Sequence, residues 1–200
     1  MINLSKNAES LAEIINCGEG NKQEVDLHVR LECNLAMLQE RVEANQKRPK
    51  IEVVQEYGNI ANIECYEQDI DRVLMHLLNN AIDAVEESNH GRNYAEIEQN
   101  PNIIKIDTEI NSDRNTAIIT VSDNGLGIES TYIDMIFEPF FTTKTKFTKY
   151  KYESGKHQGM GLFVSRYIVE EKHGGKLTYD STPGEGSEFT IEIPIQPVEP

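Results

Sequence analysis

The sequence predicts an α/β (α+β) two-layer sandwich, in which a mixed, mostly antiparallel sheet is covered on one face by helices. Three observations support this prediction. The segment from about Gln68 to Ser88 carries apolar residues at helical spacing. The runs IIKIDTEI and TAIITVSD alternate apolar and polar residues around the turn residues NSDRN. A last amphipathic helix, LFVSRYIVEEKHGG, is followed by the strands KLTYDS and SEFTIEIPI, which form a closing hairpin around TPGEG.

Length and composition indicate one globular domain with a full core. The 200 residues are 38% hydrophobic and 26% charged. No stretch approaches the 18 consecutive apolar residues of a membrane span, and the N-terminus lacks the pattern of a signal peptide. We therefore expect a cytoplasmic location without direct membrane contact. The net charge of −15 makes binding to nucleic acid unfavourable, because phosphates would be repelled.

The three cysteines do not indicate a disulfide framework or a zinc site. Cys17, Cys33 and Cys65 are odd in number and share no CxxC spacing. Reduced thiols in a reducing compartment explain them.

The N-terminal third predicts a helix and two short strands after a polar break. Residues 1 to 17 resemble the end of a helix, and NCGEGNKQ separates them from the rest of the chain. A helix is predicted from about Val25 to Asn45, followed by strands at 51–57 and 62–67. We therefore divide the chain into residues 1–20 and a main domain of residues 21–200.

The helix at 68–88 carries a polar stripe on an otherwise apolar surface. His76, Asn80 and Asp83 follow one another at i, i+4 and i+7. The stripe is either the solvent face of the helix or part of a site. An asparagine carboxamide is a neutral oxygen ligand, which suits a Mg²⁺ shared with the phosphates of a substrate.

The segment SDNGLGI places a carboxylate at the end of a predicted strand. Asp123 in its ionised form only accepts hydrogen bonds, so it matches the exocyclic amine of adenine and mismatches guanine. Gly125 and Gly127 would let the backbone approach a flat ring. An ordinary Asp-Asn-Gly turn is the competing interpretation.

A third candidate element, GKHQGMGL, directly precedes the last helix. Gly159 and Gly161 allow backbone N–H groups to face phosphates at a helix N-terminus. Val164 stands where a dinucleotide fingerprint needs its last glycine, and no P-loop lysine follows. Residues 136 to 158, before this element, contain lysines at 144, 146, 149, 151 and 156. This segment is either a solvated loop or a long lid that brings positive charge over a triphosphate.

Four elements in this order resemble the ATP-binding catalytic domain of sensor histidine kinases, within the gyrase, Hsp90, histidine kinase and MutL ATPase superfamily. HLLNNAIDAV resembles the N box, DNGLGI the G1 box, FEPFFTTK the F box and GMGL the G2 box. TPGEGSEFTIEIPI resembles the segment with the G3 box. The resemblance runs from about Asp26 to Ile195 and implies a Bergerat-type fold.

The resemblance implies roles for particular residues. Asn80 would coordinate Mg²⁺, Asp123 would take the adenine amine, and Lys144 would contact phosphate from the lid. Thr190 would lie near Asp123. The catalytic candidates are His76, Asn80 and Lys144. The cofactor-binding candidates are Asn80, Asp83, Asp123, Gly125, Gly127, Ile128, Lys144, Gly159, Met160, Gly161, Leu162 and Thr190.

The function that the resemblance implies is transfer of the γ-phosphoryl group of Mg·ATP to a histidine of a helical dimerisation domain, and from there to a response regulator. None of the five histidines of the chain is followed by an acidic residue, so the acceptor is expected on a separate domain. Residues 1–20 would be a linker or a remnant of the dimerisation hairpin, and the parent protein could be membrane-anchored.

Three positions depart from the family pattern. His76 stands where the kinases have asparagine and the hydrolysing relatives have glutamate, while His157 and Gln158 replace a glycine and a threonine of the phosphate loop. His76 would be an orienting group, a base with a suitable pKa or a tolerated substitution. These departures leave two alternatives open. One is a nucleotide-binding regulatory module with little or no catalysis, and the other is an ATP-hydrolysing relative, against which the absence of glutamate at position 76 argues.

Overall fold

The structure is a computed structural model that describes residues 20–113, 115–143 and 159–195. The predictions for Lys144 and the other lid lysines, for His157 and Gln158, and for the helical remnant before residue 20 lie outside the described residues.

The predicted sheet is present and has five strands in the order β2-β4-β5-β7-β6. Strand β2 pairs in parallel with β4, and the other three pairings are antiparallel. Strands β1 and β3 form a separate two-stranded sheet, of which the sequence predicted only β3. The strands are β1 (Gln23–Val25), β2 (Glu52–Tyr57), β3 (Ile63–Cys65), β4 (Ile103–Asn111), β5 (Thr116–Asp123), β6 (Lys176–Thr182) and β7 (Gly186–Pro194).

The helices follow the prediction with two interruptions and one addition. The predicted helix at 25–45 is divided at Leu38, and the last helix widens into a π-helical turn at Tyr167–Lys172. A short helix within the predicted polar connection begins with a capping box between Asn93 and Glu96. The helices are α1 (Leu27–Met37), α2 (Gln39–Val42), α3 (Glu67–Ser88), α4 (Tyr94–Gln99) and α5 (Gly161–Arg166), with a 3₁₀ helix at Ser130–Met135.

The core lies between α3 and one face of the sheet. The apolar residues that predicted the helical face of α3 are all buried: Ile70, Val73, Leu74, Leu77, Leu78, Ala81, Ile82 and Val85. Ile104, Ile106, Ile119, Val121 and Phe189 of the sheet are buried as well. The alternation along each strand therefore faces the helices with its apolar side. This arrangement confirms the predicted sandwich.

The N-terminal end of α3 is held by the last residue of the π-helical turn, Lys172, and by the next residue, His173. The Tyr66 N–H donates to Nε2 of His173, whose Nδ1 lies 2.8 Å from the Ile168 carbonyl oxygen. This arrangement requires the neutral ring with its proton on Nδ1. Burial lowers the pKa of His173. Lys172 also forms an ion pair with the buried Asp69, so the start of α3 has a fixed position.

Within the described ranges, no helix combines the length and the apolar character needed to cross a membrane.

Candidate functional site

Asp123 is the last residue of β5 and lies on the helix-facing side of the sheet, opposite Ser187 of β7. Its Oδ1 accepts a hydrogen bond of 2.8 Å from the Gly125 N–H. Burial raises the pKa of Asp123 to about 6, although hydrogen bonds from the backbone of Gly125 and Ser187 act in the opposite direction. The ionised carboxylate is therefore less well stabilised here than in water. Carboxylates with such a perturbed pKa are common at functional sites.

The loop after Asp123 rests directly on α3. A Cβ atom at Gly125 would lie 2.6 Å from the carbonyl carbon of Ala84 and 2.7 Å from its Cβ. A side chain at this position would therefore push the loop away from the helix. Since Ala84 follows Asp83 directly, the contact brings the G1-like loop to the helix that carries the polar stripe.

Asn124 fixes the loop to the chain before β4. Its Oδ1 accepts from the Ile103 N–H at 2.8 Å, and its Nδ2 donates to the Pro101 carbonyl at the same distance. Asn124 thus has a structural function, and the neighbouring acid remains available for other contacts on the helix side.

The second half of the loop, with Gly127 and Ile128, is bound to the β6–β7 hairpin. The Gly184 N–H donates to the Leu126 carbonyl at 2.6 Å, and the Ile128 N–H donates to Oγ of Ser181 at 2.9 Å. The segments that resemble the G1 and G3 boxes are therefore joined to each other.

Thr190 is not placed beside Asp123, and this sequence prediction is corrected by the strand register. Thr190 pairs with Thr120, and their hydroxyl oxygens lie 3.4 Å apart. Along a strand, side chains alternate between the two faces, so Thr190 points away from the helix side on which Asp123 lies. Ser187, which is buried and pairs with Asp123, has the position that the sequence analysis assigned to Thr190.

His76 lies at the junction of α3 and the start of α5. Its Nδ1 is 3.2 Å from Oγ of Ser165, and a Cβ at Gly161 would lie 3.5 Å from its Cγ. The ring therefore packs against the first turn of α5. The contact joins the N-box-like helix to the G2-like segment.

The residues around Gly161 occupy different environments. Met160 is buried, whereas Leu162 is partly buried and packs against the core. Gly159 lies against the backbone of Phe140 and Phe141 in the F-box-like segment. The structure thus brings three predicted elements into contact, while the predicted phosphate contacts themselves stay predictions.

Asn80 and Asp83 follow His76 along the stripe, and both are partly buried. Oδ1 of Asp83 forms an ion pair of 2.6 Å with Nη2 of Arg41, which belongs to α2. The sequence analysis did not identify Arg41, because helical spacing within α3 contains no information about a partner on another helix. The role of Asp83 toward a nucleotide stays a prediction.

The donor set around Asn80 fits a particular kind of metal binding. Among the residues that the structure describes, no group of three or more His, Cys, Asp and Glu side chains could hold a metal ion. Asn80 supplies one neutral amide oxygen. That matches a Mg²⁺ that keeps most of its waters and takes further oxygens from substrate phosphates, and it does not match an all-protein cage.

The family model described as "Histidine kinase-, DNA gyrase B-, and HSP90-like ATPase" matches residues 65–197. The chain is similar to the signal transduction histidine-protein kinase AtoS of Escherichia coli strain K12, with 30% identity over 195 residues. This match covers 97% of the chain and 27% of AtoS. The chain spans between 20% and 35% of the length of the first three curated relatives that it matches.

Solved structures show the same architecture. The catalytic domain of histidine kinase ThkA, in a nucleotide-free form, is 27% identical with a TM-score of 0.67, and the match covers 89% of this chain and 98% of that domain. A complex of ThkA with the response regulator protein TrrA matches at 24% identity with a TM-score of 0.65, covering 98% of this chain and 49% of that one. At this identity the second likeness shows the fold alone.

Proposed function

Because this chain belongs to the family of histidine kinase-, DNA gyrase B- and HSP90-like ATPases, we propose that it binds Mg·ATP and transfers the γ-phosphoryl group to a histidine on a separate helical domain. Its similarity to sensor histidine kinases across nearly its whole length supports the kinase branch of the family.

The observation that carries the proposal is the partly buried carboxylate of Asp123 at the end of β5, against α3. An ionised carboxylate accepts the amine hydrogen of adenine, whereas guanine would place an oxygen there, so that two acceptors would face each other without a hydrogen between them. An unpaired buried acceptor costs about 1–3 kcal/mol. The raised pKa of Asp123 shows that its charged form is poorly stabilised in the free protein, so a donor from the base would improve its environment.

The phosphate end of the proposed site is formed by α3 and the start of α5. Asn80 would hold Mg²⁺, which would supply positive charge to offset that of the phosphates. His76, packed on Gly161 and bonded to Ser165, keeps α5 against α3 and thereby orients its first turn. The prediction that Lys144 contacts phosphate belongs to this proposal as well.

The proposed transfer depends on positioning and charge stabilisation. A nitrogen of the acceptor imidazole forms a bond to the γ-phosphorus, while the bond from that phosphorus to the bridging oxygen breaks. Its electron pair leaves with ADP, and the imidazole loses its N–H proton to solvent. The acceptor belongs to the parent kinase, because no histidine of this chain has the expected acidic neighbour.

A downstream response regulator is the proposed partner of the parent protein. The similar kinase ThkA has been solved in complex with the response regulator protein TrrA, and the present chain spans only part of its relatives. Dimerisation, membrane anchoring and regulator contact are accordingly proposals about the parent protein.

Nucleotide-dependent stabilisation tests the binding step. The melting temperature is measured with ATP, ADP, GTP and adenosine, each with and without Mg²⁺. We expect a shift with adenine nucleotides that Mg²⁺ increases and a much smaller shift with GTP. Equal shifts with ATP and GTP would contradict the role of Asp123.

Phosphoryl transfer is tested by mixing the chain, γ-labelled ATP and the helical hairpin domain of its parent. Label on the hairpin, lost when its acceptor histidine is replaced, supports the kinase function. Bound ATP with an unlabelled hairpin would favour the second candidate, a nucleotide-responsive module without transfer. The departures from the family pattern at His76, His157 and Gln158 motivate that candidate.

A further inference from the structure

Two arginines from the N-terminal helices bind the acidic residues of α3 at different points along it. Arg41 of α2 contacts its second half, and Arg30 of α1 contacts its first half. Both arginines precede the segment that matches the family model, which begins at residue 65. Only the contact of Arg41 lies beside the polar stripe.

Arg41 contacts three side chains of α3. Its Nη1 donates to Oδ1 of Asn79 at 2.5 Å, and its Nη2 lies 2.6 Å from Oδ1 of Asp83 and 3.0 Å from Oε2 of Glu86. Its side chain is 14% exposed. Burial alone would lower the pKa of Arg41, but the charge and hydrogen bond of Asp83 raise it above its ordinary value, so the guanidinium is a fixed positive charge.

The contacts of Arg41 lie beside Asn80 on the surface of the helix. Asn79 directly precedes Asn80, and Asp83 lies three residues after it, which makes Asp83 and Asn80 neighbours on the helical surface. Asn79 is also held by the preceding turn of the helix, because its Nδ2 donates to the Met75 carbonyl at 2.8 Å. The turn of α3 that presents Asn80 is therefore bound at two points.

Arg41 is itself fixed by the loop that follows α2. Arg48 is buried and donates to the carbonyl oxygens of Val42, Glu43 and Arg41, and its Nη2 lies 3.0 Å from Oε1 of Glu86. The backbone around Arg41 thus has a defined distance from α3. A guanidinium is suited to such a position because its planar fork donates in several directions at once.

We propose that Arg41 is a positioning residue of the nucleotide site, which orients the turn of Asn80 and cancels the negative charge of Asp83 beside the phosphates. This inference rests on the proposed function, in which Asn80 faces Mg²⁺ and the polyphosphate. Without Arg41, the carboxylate of Asp83 would repel the phosphates. The effect of Arg41 on affinity consequently increases with the number of phosphates and is absent for adenosine.

Arg30 provides a matched control within the same molecule. Its Nη1 lies 2.5 Å from Oε1 of Glu67, and its Nη2 lies 2.6 Å from Oδ2 of Asp71, with 19% of the arginine side chain exposed. Asp71 precedes Asn80 by more than two helical turns, roughly 13 Å along the axis. Arg30 thus has the same chemistry and similar burial, but it does not border the stripe.

The experiment compares Arg41→Gln, Arg41→Ala and Arg30→Gln by calorimetry with adenosine, ADP and Mg·ADP. The outer partners of metal ligands typically contribute about 10–100-fold to metal affinity, so we expect Arg41→Gln to weaken Mg·ADP binding about tenfold and adenosine binding less than twofold. Arg30→Gln should leave both affinities within twofold, although it lowers the melting temperature. Arg41→Gln decides the question if Arg41→Ala does not fold.

A second substitution separates charge from structure. Adding Asp83→Asn to Arg41→Gln removes the negative charge that Arg41 no longer offsets, so ADP affinity should recover most of the loss. A purely structural role of Arg41 predicts no recovery. Folded Arg41→Gln with wild-type affinity for Mg·ADP, or an equal loss in Arg30→Gln, would overturn the inference.

The wild-type protein and Asn80→Ala keep the two proposals distinguishable. If Mg²⁺ does not strengthen ADP binding to the wild type, or if Asn80→Ala leaves that gain unchanged, the proposed binding of Mg²⁺ by Asn80 is contradicted, and the proposed function with it. If both behave as proposed and Arg41→Gln binds like the wild type, only the inference about Arg41 fails.

Discussion

The two ends of the proposed nucleotide site are built in different ways. At the base end, Asp123 is placed by strand pairing and by glycines that allow close backbone contacts. At the phosphate end, Asn80 and Asp83 lie on one helix, and Arg41 from another helix binds Asp83 and the neighbouring Asn79. A position fixed by close backbone contacts tolerates few substitutions, whereas a position fixed by side-chain contacts loses one contact at a time. Single substitutions at the base end should therefore have larger effects than single substitutions at the phosphate end.

The largest expected effect is that of Gly186→Ala at the base end. Gly186 has φ of +129°, and a Cβ there would lie 1.9 Å from the carbonyl oxygen of Asp123. The backbone must shift, so we expect a loss of about 3 kcal/mol or more in the free energy of unfolding, measured by urea denaturation.

Gly184→Ala is the control for this substitution. Gly184 has φ of +81°, but a Cβ there would meet no atom within 4 Å. The loss should be about 1 kcal/mol, from the left-handed conformation alone. Equal losses at the two glycines would contradict the account of a tightly packed base end.

Asp123→Asn should have the next largest effect, on affinity and not on folding. Replacing the acceptor with a group that presents an NH₂ should weaken ATP binding about 10–100-fold by calorimetry. Because the native pKa of Asp123 is raised to about 6, its charged form destabilises the free protein at neutral pH. The variant should therefore melt at the same temperature or a few degrees higher without nucleotide.

Thr190→Val sharpens this prediction, since the register places Thr190 on the other face of the sheet. We expect its ATP affinity to stay within twofold of the wild type. A loss as large as that of Asp123→Asn would restore the role that the sequence analysis assigned to Thr190.

Asn80→Ala should remove most of the gain in nucleotide affinity that Mg²⁺ produces, about tenfold, because the amide oxygen is lost. Adenosine affinity should stay within twofold, since the base end is built separately. Calorimetry with ADP and adenosine, with and without Mg²⁺, measures both quantities. Equal loss of both would mean that the helix had been disrupted as a whole.

The pH dependence of adenosine binding should follow the protonation of Asp123. The carboxylate accepts a hydrogen bond from the amine only when it is ionised, so affinity should fall about tenfold between pH 7 and pH 5, through the pKa of about 6. The free energy of unfolding of the free protein should instead rise as the pH falls below about 6, because the native state binds this proton more tightly than the unfolded state. Asp123→Asn should lack both dependences, and their persistence would assign them to another group.

His76→Asn should have the smallest effect. It removes the contact with Ser165, which is equivalent to about 1 kcal/mol of stability, and it should change ADP affinity less than threefold. A change in the phosphoryl-transfer rate of more than about tenfold would instead indicate that His76 moves a proton during the reaction.

The sequence predicted elements well where the signal was local and periodic. The helix at 68–88 and the strand at 116–123 agree with α3 and β5, because burial on one side forces a regular spacing of apolar residues. The helix α4 was missed although Asn93 and Glu96 have the spacing of a capping box, so a signal for it was present. Strand β1 has only three residues and no such pattern.

The site was predicted well along single elements and poorly between them. Asp123 and Asn80 belong to motifs that are contiguous in the chain. The partner of Asp123 depends on the register of β5 with β7, which is why Thr190 was chosen where Ser187 lies. Arg41 was not identified for the same reason, since its contacts join α2 to α3 across the tertiary structure.

The strand order has a consequence for the synthesis and folding of the protein. β5 has β7, the last strand of the described residues, as one of its two neighbours, and the backbone N–H of Ser187 in β7 donates to Asp123. Contacts between segments so distant in the chain form slowly, because a long loop must close first. A nascent chain that has not yet emerged past residue 187 cannot assemble the base pocket, so we expect nucleotide to bind only after nearly the whole domain has left the ribosome.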